Sequence, residues 1–178
     1  DTILNLEGSK WDGARDVLNQ FRLNGRYYCA IYEISFDSLL YYRKSVLEGA
    51  GLKDPRTLFE NDEWTWDTFL DMARQFQQSG DGKYVIEGYN PENEFVVSTG
   101  TPIIENDGTK LINNMNNANV ERVMDLLSTL QKENLRYPLH ELNGWSVNPK
   151  AWAQGDILFY GNGGTWEFEG DSGLNKFA

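Results

Sequence analysis

Apolar residues recur along the chain at helical spacing in some stretches and in short extended runs in others. Helical spacing buries one face of a helix, whereas short runs of aromatic and branched residues between turn residues are typical of strands. The repeated alternation predicts a helix-rich α/β (α+β) fold with one small mixed sheet flanked by helices. The predicted helices cover residues 11–23, 44–50, 65–79, 149–153 and a long stretch after 119, and the predicted strands cover 27–34, 39–42, 84–86 and 156–160.

The helix that begins at Thr65 has the strongest local signals. Thr65 is a favoured N-cap residue, Trp64 before it can pack on Phe69, and Asp67 stands favourably in the first turn. The predicted buried faces are Trp66, Phe69, Leu70, Ala73 and Phe76 for this helix, and Val120, Val123, Met124, Leu127 and Leu130 for the long one.

Turn residues predict three further features. Asn90-Pro91 is a cap followed by a first-turn proline and opens a helix. Residues 106–109 form the turn of a hairpin over 103–112. The glycines at 161–164 turn the last strand into a final helix that contains Trp166.

Charge and composition exclude several classes of function. The 178 residues carry a net charge of −11, and their basic residues are scattered, so nucleic acid and anionic membranes are poor partners. No apolar run approaches the ~20 residues of a membrane-spanning helix. Cys29 is the single cysteine, which rules out an intramolecular disulfide.

The glycine-rich run before Trp166 is the first candidate for ligand binding. Glycines between a strand and a helix let the backbone approach a ligand and leave amide groups free at the helix start. In open α/β sheets, ligands bind beyond the carboxyl ends of strands, where Trp166 would present a flat apolar face. A tight turn with a core tryptophan is the equally open alternative.

The segment that follows the strand at 84–86 is the second candidate. Amide and carboxylate groups beside aromatic residues, including Asn90, Asn93 and Glu94, suit the recognition of sugar hydroxyls. The alternative is an N-capped helix with a solvated acidic face.

Catalysis has weak support in the sequence. Asp37, Glu94 and Glu167 are the candidate carboxylates for glycoside hydrolysis, but nothing in the sequence fixes their separation. His140 and Cys29 do not form a metal-binding set or a nucleophile–base pair, and no cofactor is predicted.

Five segments, taken in order, resemble the second lobe of the family 1 extracellular solute-binding proteins, the maltose-binding-like group. Three positions depart from the family pattern: Arg43 replaces an asparagine, Tyr32 a proline, and Asp156 a small or basic residue. The segments are Asn24-Gly25-Arg26-Tyr27-Tyr28, Leu40-Tyr41-Tyr42-Arg43-Lys44 with the continuation to Leu52, Trp64-Thr65-Trp66-Asp67-Thr68-Phe69, Trp152-Ala153-Gln154-Gly155-Asp156, and Gly163-Gly164-Thr165-Trp166.

The resemblance implies a two-lobed, periplasmic-binding-protein-like (type II) clamp that closes on a solute and performs no chemistry. Residues 1–178 would form one domain, the second lobe, without the first lobe and the returning C-terminal segment. Such an isolated lobe is expected to bind sugar weakly or not at all, since half of the cleft is missing. The ligand-binding residues that the resemblance and the turns predict are Ser35, Asp37, Asn90, Asn93, Glu94, Gly164, Thr165, Trp166 and Glu167.

The resemblance also implies partners and location. The partners would be a carbohydrate or other small solute and an ABC permease in the membrane, and the protein would be a monomer. It would be extracellular, either as a membrane-anchored lipoprotein or free in the periplasm. Two alternatives stay open: a carbohydrate-active enzyme domain that uses a carboxylate pair, and a non-catalytic interaction module.

Overall fold

The computed structural model describes residues 3–33, 39–87, 91–138 and 149–163. The helices are a 3-10 helix over Ser9–Ala14, α1 (Arg15–Gln20), α2 (Lys44–Gly49), α3 (Pro55–Glu60), α4 (Trp66–Gln78), α5 (Pro91–Ser98), α6 (Ala118–Lys132) and α7 (Pro149–Gln154). The strands are β1 (Arg22–Leu23), β2 (Arg26–Tyr27), β3 (Leu39–Tyr42), β4 (Tyr84–Glu87), β5 (Ile104–Asn106), β6 (Leu111–Asn113) and β7 (Ile157–Gly163).

The chain divides into two compact units. Unit 1 comprises residues 1–35 and 96–122, and unit 2 comprises residues 36–95 and 123–178. The expectation that residues 1–178 form a single lobe of a two-lobed protein stays a prediction.

Unit 2 is organised around a three-stranded mixed sheet of order β3-β7-β4. The central strand β7 runs parallel to β4, with Ile86 opposite Phe159, and antiparallel to β3, with Tyr42 opposite Phe159. The predicted small mixed sheet with flanking helices is therefore confirmed. The three strands also match predicted extended segments, because each is a short run of aromatic and branched residues.

Helix α4 supplies the largest apolar face of the unit 2 core. Its start is as predicted: Thr65 Oγ1 accepts a hydrogen bond from the Thr68 N–H at 3.2 Å, and the Trp64 and Phe69 rings pack edge to face, 6.2 Å between centroids. The side chains that α4 buries are Phe69, Met72, Ala73 and Phe76. Each large apolar side chain buried in this way contributes about 1.5–3 kcal/mol.

Helix α3 is an element that the sequence pattern did not predict. Asp54 caps it by accepting from the Arg56 N–H at 2.9 Å, and Pro55 occupies its first turn. The Tyr42 hydroxyl donates to the same Asp54 carboxylate at 2.8 Å, so the cap is tied to β3. A helix of six residues is too short to produce a recognisable apolar period, whereas its Asp-Pro start is a readable signal.

Unit 1 is built from short elements. The β1-β2 and β5-β6 pairs are both antiparallel, and β5-β6 is the predicted hairpin, with Glu105 opposite Ile112. Asn106 ties this hairpin to the first part of the chain, because its Nδ2 donates to the carbonyl oxygens of Gln20 and Arg22.

Three predicted elements differ from the structure. The single helix predicted over residues 11–23 is instead the 3-10 helix, with Gly13 near its end, followed by α1 and by strand β1. Of the strand predicted over 27–34, only Tyr27 lies in a strand among the described residues 27–33, at the end of β2. Position 34 lies outside the described residues. In α6, Leu126 is buried and Met124 is 45% exposed, so the apolar stripe is rotated from the predicted one.

Candidate functional site

One edge of the unit 2 sheet gathers the ends of several chain segments. Because β4 and β7 are parallel neighbours, their carboxyl ends lie at the same edge. The antiparallel β3 begins there, since Leu39 pairs with Gly163 at the end of β7. We call this the carboxyl edge of the sheet. In the sequence, it adjoins the three stretches that contain the predicted binding residues.

Strand β7 extends further toward this edge than the sequence predicted. Gly161 and Gly163 belong to the strand and do not form the expected turn, because β7 keeps its pairing with β3 as far as Gly163. The register shifts between Leu39 and Tyr41 and leaves one extra residue on β7. Such bulges bend a strand and redirect side chains, and they are frequent beside functional sites.

A further extended run lies on the outer side of β4. The Val85 N–H donates to the Leu135 carbonyl at 2.7 Å, and the Tyr137 N–H donates to the Ile86 carbonyl at 3.0 Å. The resulting bridge between Ile86 and Arg136 is parallel, so this run also points its carboxyl end to the carboxyl edge. No strand is predicted over these residues, because a bridge this short has no alternating pattern to reveal it.

Helix α5 begins shortly after β4 reaches the carboxyl edge. Its first turn carries Glu92 and Glu94, and negative charge is favourable at a helix N-terminus. Of the two predicted binding residues on this helix, Asn93 is exposed and Glu94 is half-buried. Both are thus open to solvent to some extent, as contact with a ligand requires.

An ion pair fixes the first turn of α5 to the run beside β4. Arg136 Nη1 donates to Glu92 Oε1, and the Arg136 and Glu92 side chains are 11% and 35% exposed. The second oxygen, Glu92 Oε2, is buried and has no hydrogen-bond partner among the described residues. The sequence gives no sign of this pair, because its members stand 44 positions apart.

Glu87 is a buried carboxyl residue at the same edge. It ends β4 opposite Tyr160, and its exposure is 1%. Burial of a carboxylate is costly unless the surroundings compensate it, which makes such residues candidates for function. A readable signal was present, since Glu87 ends the apolar run of β4 and precedes a glycine.

The other predicted site residues lie outside the described residues. These are Ser35, Asp37, Asn90, Gly164, Thr165, Trp166 and Glu167, together with His140 of the sequence analysis. Of the three candidate catalytic carboxylates, Glu94 is the one that lies among the described residues. Among the described residues, no group of three His, Cys, Asp or Glu side chains could hold a metal ion.

At the opposite edge of the sheet, cationic side chains stabilise α7 and the turn that follows it. Arg43 Nη1 donates to the carbonyl oxygens of Trp152 and Ala153 at 2.9 and 3.0 Å. Lys83 Nζ donates to Gly155 O at 3.0 Å and pairs with Asp156 at 2.9 Å. Arg43 and Asp156, two of the departures from the family pattern, thus have structural partners here.

A cleft of about 630 Å³ in unit 1 is lined mainly by polar residues. The side-chain amides of Asn106 and Asn114 in this cleft already form hydrogen bonds within the protein. Asn106 bonds to backbone oxygens, and Asn114 Nδ2 donates to Pro102 O at 3.0 Å and Glu105 Oε2 at 3.1 Å. The carboxyl edge of unit 2 is therefore the better candidate site.

The fold resembles that of ABC transporter binding proteins. An ABC transporter associated binding protein from B. animalis subsp. lactis, solved in complex with beta-1,6-galactobiose, has a TM-score of 0.63 and 19% identity and covers 91% of this chain. An ABC substrate-binding protein from Listeria monocytogenes, solved in complex with cycloalternan, has a TM-score of 0.59 and 20% identity and covers 86%. The present chain spans 39% and 38% of these two chains.

The sequence shows the family to which the chain belongs. It matches the family model described as bacterial extracellular solute-binding protein over residues 2–173, so it belongs to that family. No curated protein matches the sequence. The predicted membership in the extracellular solute-binding proteins is thus confirmed, and so is the fold class. None of the described helices combines the length and the apolar character that a membrane crossing demands.

Proposed function

We propose that this chain belongs to the solute receptor of an ABC importer and binds a sugar or oligosaccharide at the carboxyl edge of the unit 2 sheet. The observation that carries the proposal is the meeting of four chain segments at that edge. The start of β3 and the carboxyl ends of β4, β7 and the run at 135–137 all lie there. Ligands of open α/β folds bind beyond the carboxyl ends of strands.

The proposed contacts combine stacking with hydrogen bonds. Trp166 would supply a flat apolar face for a sugar ring, and amide and carboxylate groups would bond to hydroxyls. The exposed Asn93 and half-buried Glu94 on α5 agree with this role. The full proposed set is Ser35, Asp37, Asn90, Asn93, Glu94, Gly164, Thr165, Trp166 and Glu167.

An oligosaccharide is the favoured solute because both similar solved proteins were captured with one. The ligands in those complexes are beta-1,6-galactobiose and cycloalternan. Neutral sugars also match a site that combines an aromatic ring with amide and carboxylate groups, whose hydrogen bonds fix the orientation of the hydroxyls.

The receptor role defines the partners and the location. The protein would deliver its solute to a membrane permease as a monomer, perform no catalysis and bind no nucleic acid, in agreement with its net charge of −11. It would act outside the cell membrane, as a lipoprotein or in the periplasm.

Isothermal titration calorimetry on the full-length protein tests the proposal with cycloalternan and beta-1,6-galactobiose as probes. We expect saturable binding of at least one sugar, and we expect Trp166→Ala to weaken it about tenfold, or about 1.4 kcal/mol. Trp11→Ala is the matched control, since Trp11 is not among the proposed contacts, and it should leave the affinity unchanged.

The absence of binding of either sugar would overturn the proposal, and two further results would contradict parts of it. Equal affinity of the Trp166→Ala and Trp11→Ala proteins would remove the stacking role. Turnover of an aryl glycoside that disappears in Glu94→Gln or Glu167→Gln would identify an enzyme instead.

A further inference from the structure

Arg136 occupies an unusual position for a cation. Its side chain is 11% exposed, and it lies on the run that pairs with β4 through the bridge to Ile86. Its partner, Glu92, stands in the first turn of α5. The pair thus joins the sheet to the helix that carries the proposed contacts Asn93 and Glu94.

The carboxyl edge holds two described carboxylates besides that of the pair. Glu92 and Glu94 are both in the first turn of α5, and Glu87 ends β4. Arg136 is the cation that forms an ion pair with Glu92 among the described residues. Without it, Glu92 would present an uncompensated negative charge, because its Oε2 is already buried.

We propose that Arg136 is a positioning residue that holds the first turn of α5 on the carboxyl edge and, by neutralising Glu92, lowers the affinity of the site for cationic solutes relative to neutral sugars. The proposal rests on the proposed function for its ligand. The positioning step follows from the geometry, since hydrogen bonds between charged groups are stronger than neutral ones. The selectivity step follows from electrostatics, since a partly buried carboxylate attracts cations more strongly when it is unpaired.

The test compares three single variants and one double variant of the full-length protein. Arg136→Met keeps the apolar stem and removes the charge, and Glu92→Gln keeps the shape of its partner. Arg74→Met is the matched control, because Arg74 forms an exposed ion pair with Glu133 elsewhere in unit 2, at 42% and 38% exposure. The double variant combines Arg136→Met with Glu92→Gln.

Two readouts separate positioning from general stability. Amide hydrogen exchange across α5 should become about tenfold faster in Arg136→Met and stay unchanged in Arg74→Met. Calorimetry should show weaker binding of cycloalternan or beta-1,6-galactobiose and about tenfold tighter binding of spermidine in Arg136→Met. Glu92→Gln in the same background should abolish the gain for spermidine, since the unpaired carboxylate is gone.

Each outcome decides one part of the proposal. If Arg136→Met matches Arg74→Met in both exchange and selectivity, the proposal is wrong. If the wild-type protein binds neither sugar, the proposed function fails, while the exchange of α5 still decides whether Arg136 positions the helix. Should Arg136→Met not fold, Glu92→Gln alone supplies the exchange comparison, and unchanged α5 protection there contradicts the positioning role.

Discussion

The two units are stabilised by different kinds of interaction. In unit 2, the described core contains rings packed on the central strand, and Phe159 has Tyr42, Trp64 and Phe69 within 5.9–6.1 Å between centroids. In unit 1, the buried apolar residues are Leu6, Leu18, Val96 and Val120 among those described, whereas Phe21, Tyr28 and Tyr32 are exposed.

Polar side chains replace the missing apolar contacts in unit 1. Asn106 makes three hydrogen bonds to backbone groups, to Gln20, Arg22 and Gly108. Asp107 Oδ1 accepts three more from Thr109 and Lys110. Each such bond is short-ranged and depends on one donor and one acceptor. Unit 1 should therefore respond to the loss of single polar atoms, and unit 2 to the loss of volume.

The largest expected effect comes from Phe159→Ala. Phe159 is 0% exposed, and truncating a buried phenylalanine removes its transfer free energy and leaves a cavity. We expect the free energy of unfolding to fall by about 3–5 kcal/mol in chemical denaturation. Phe59→Ala is the control, since Phe59 is 71% exposed and should change stability little. Equal losses from the two variants would refute a core centred on Phe159.

The next effect belongs to unit 1. Asn106→Ala removes three hydrogen bonds and should lower the free energy of unfolding by about 1–3 kcal/mol. Asn116→Ala, at an exposed position of the same unit, should cost much less. Asn106→Asp keeps the acceptor for the Gly108 N–H but loses both donors, so it should fall near the alanine variant. If Asn106→Ala leaves the free energy of unfolding unchanged, these bonds do not stabilise unit 1.

The sequence predicted unit 2 better than unit 1, because the two units are stabilised by different kinds of interaction. Its strands and α4 depend on local apolar patterns and caps, which stand in the sequence itself. Helix α1 and the 3-10 helix depend instead on contacts such as Arg15 with the carbonyl oxygens of Leu6 and Gly8, 9 and 7 positions away. Such bonds leave no periodic signal. Local pattern therefore predicts the parts in which local and tertiary preferences agree.

The candidate site was predictable in its location but not in its network. Glycines and caps after strands indicated where β4 and β7 end, and the sheet brings those ends to one edge. The pairing of Arg136 with Glu92 and the burial of Glu87 arise from the parallel bridge beside β4. The spacing of these residues does not predict that bridge, because it forms only in the folded sheet.

A smaller effect tests whether the units differ at their helix starts. Thr65, in unit 2, caps α4, and Asn117, in unit 1, caps the start of α6 by accepting from the Asn119 N–H at 2.9 Å, although α6 continues into unit 2 from residue 123. Alanine at either position should cost about 1 kcal/mol, since both caps are exposed and local. Thr65→Ser and Asn117→Asp keep the acceptor and are the controls. A cost several times larger in one unit would show that its cap does more than complete a helix turn.

The smallest effect concerns two carboxylates with lowered pKa values, one in each unit. In unit 1, the hydroxyl and N–H of Thr109 and the N–H of Lys110 hold the pKa of Asp107 below its ordinary value. In unit 2, the Tyr42 hydroxyl and the Arg56 N–H do the same for the pKa of Asp54. Because both folded pKa values are depressed, the stabilisation is present above the unfolded value of about 3.9 and is lost as the pH falls through the folded pKa.

NMR titration of the carboxyl groups in the wild-type, Thr109→Ala and Tyr42→Phe proteins measures the pKa of Asp107 and Asp54 separately. The Thr109 hydroxyl is the largest cause of the lowered pKa of Asp107. Thr109→Ala should therefore raise the pKa of Asp107 toward its ordinary value and leave the pKa of Asp54 unchanged. Tyr42→Phe should raise the pKa of Asp54 and leave the pKa of Asp107 unchanged, because the Tyr42 hydroxyl is the largest cause of the lowered pKa of Asp54. The acid limb of the unfolding curve should shift in the same direction in each variant. If Thr109→Ala leaves the pKa of Asp107 depressed, the hydroxyl is not what stabilises this turn, and the polar character assigned to unit 1 must come from its backbone donors.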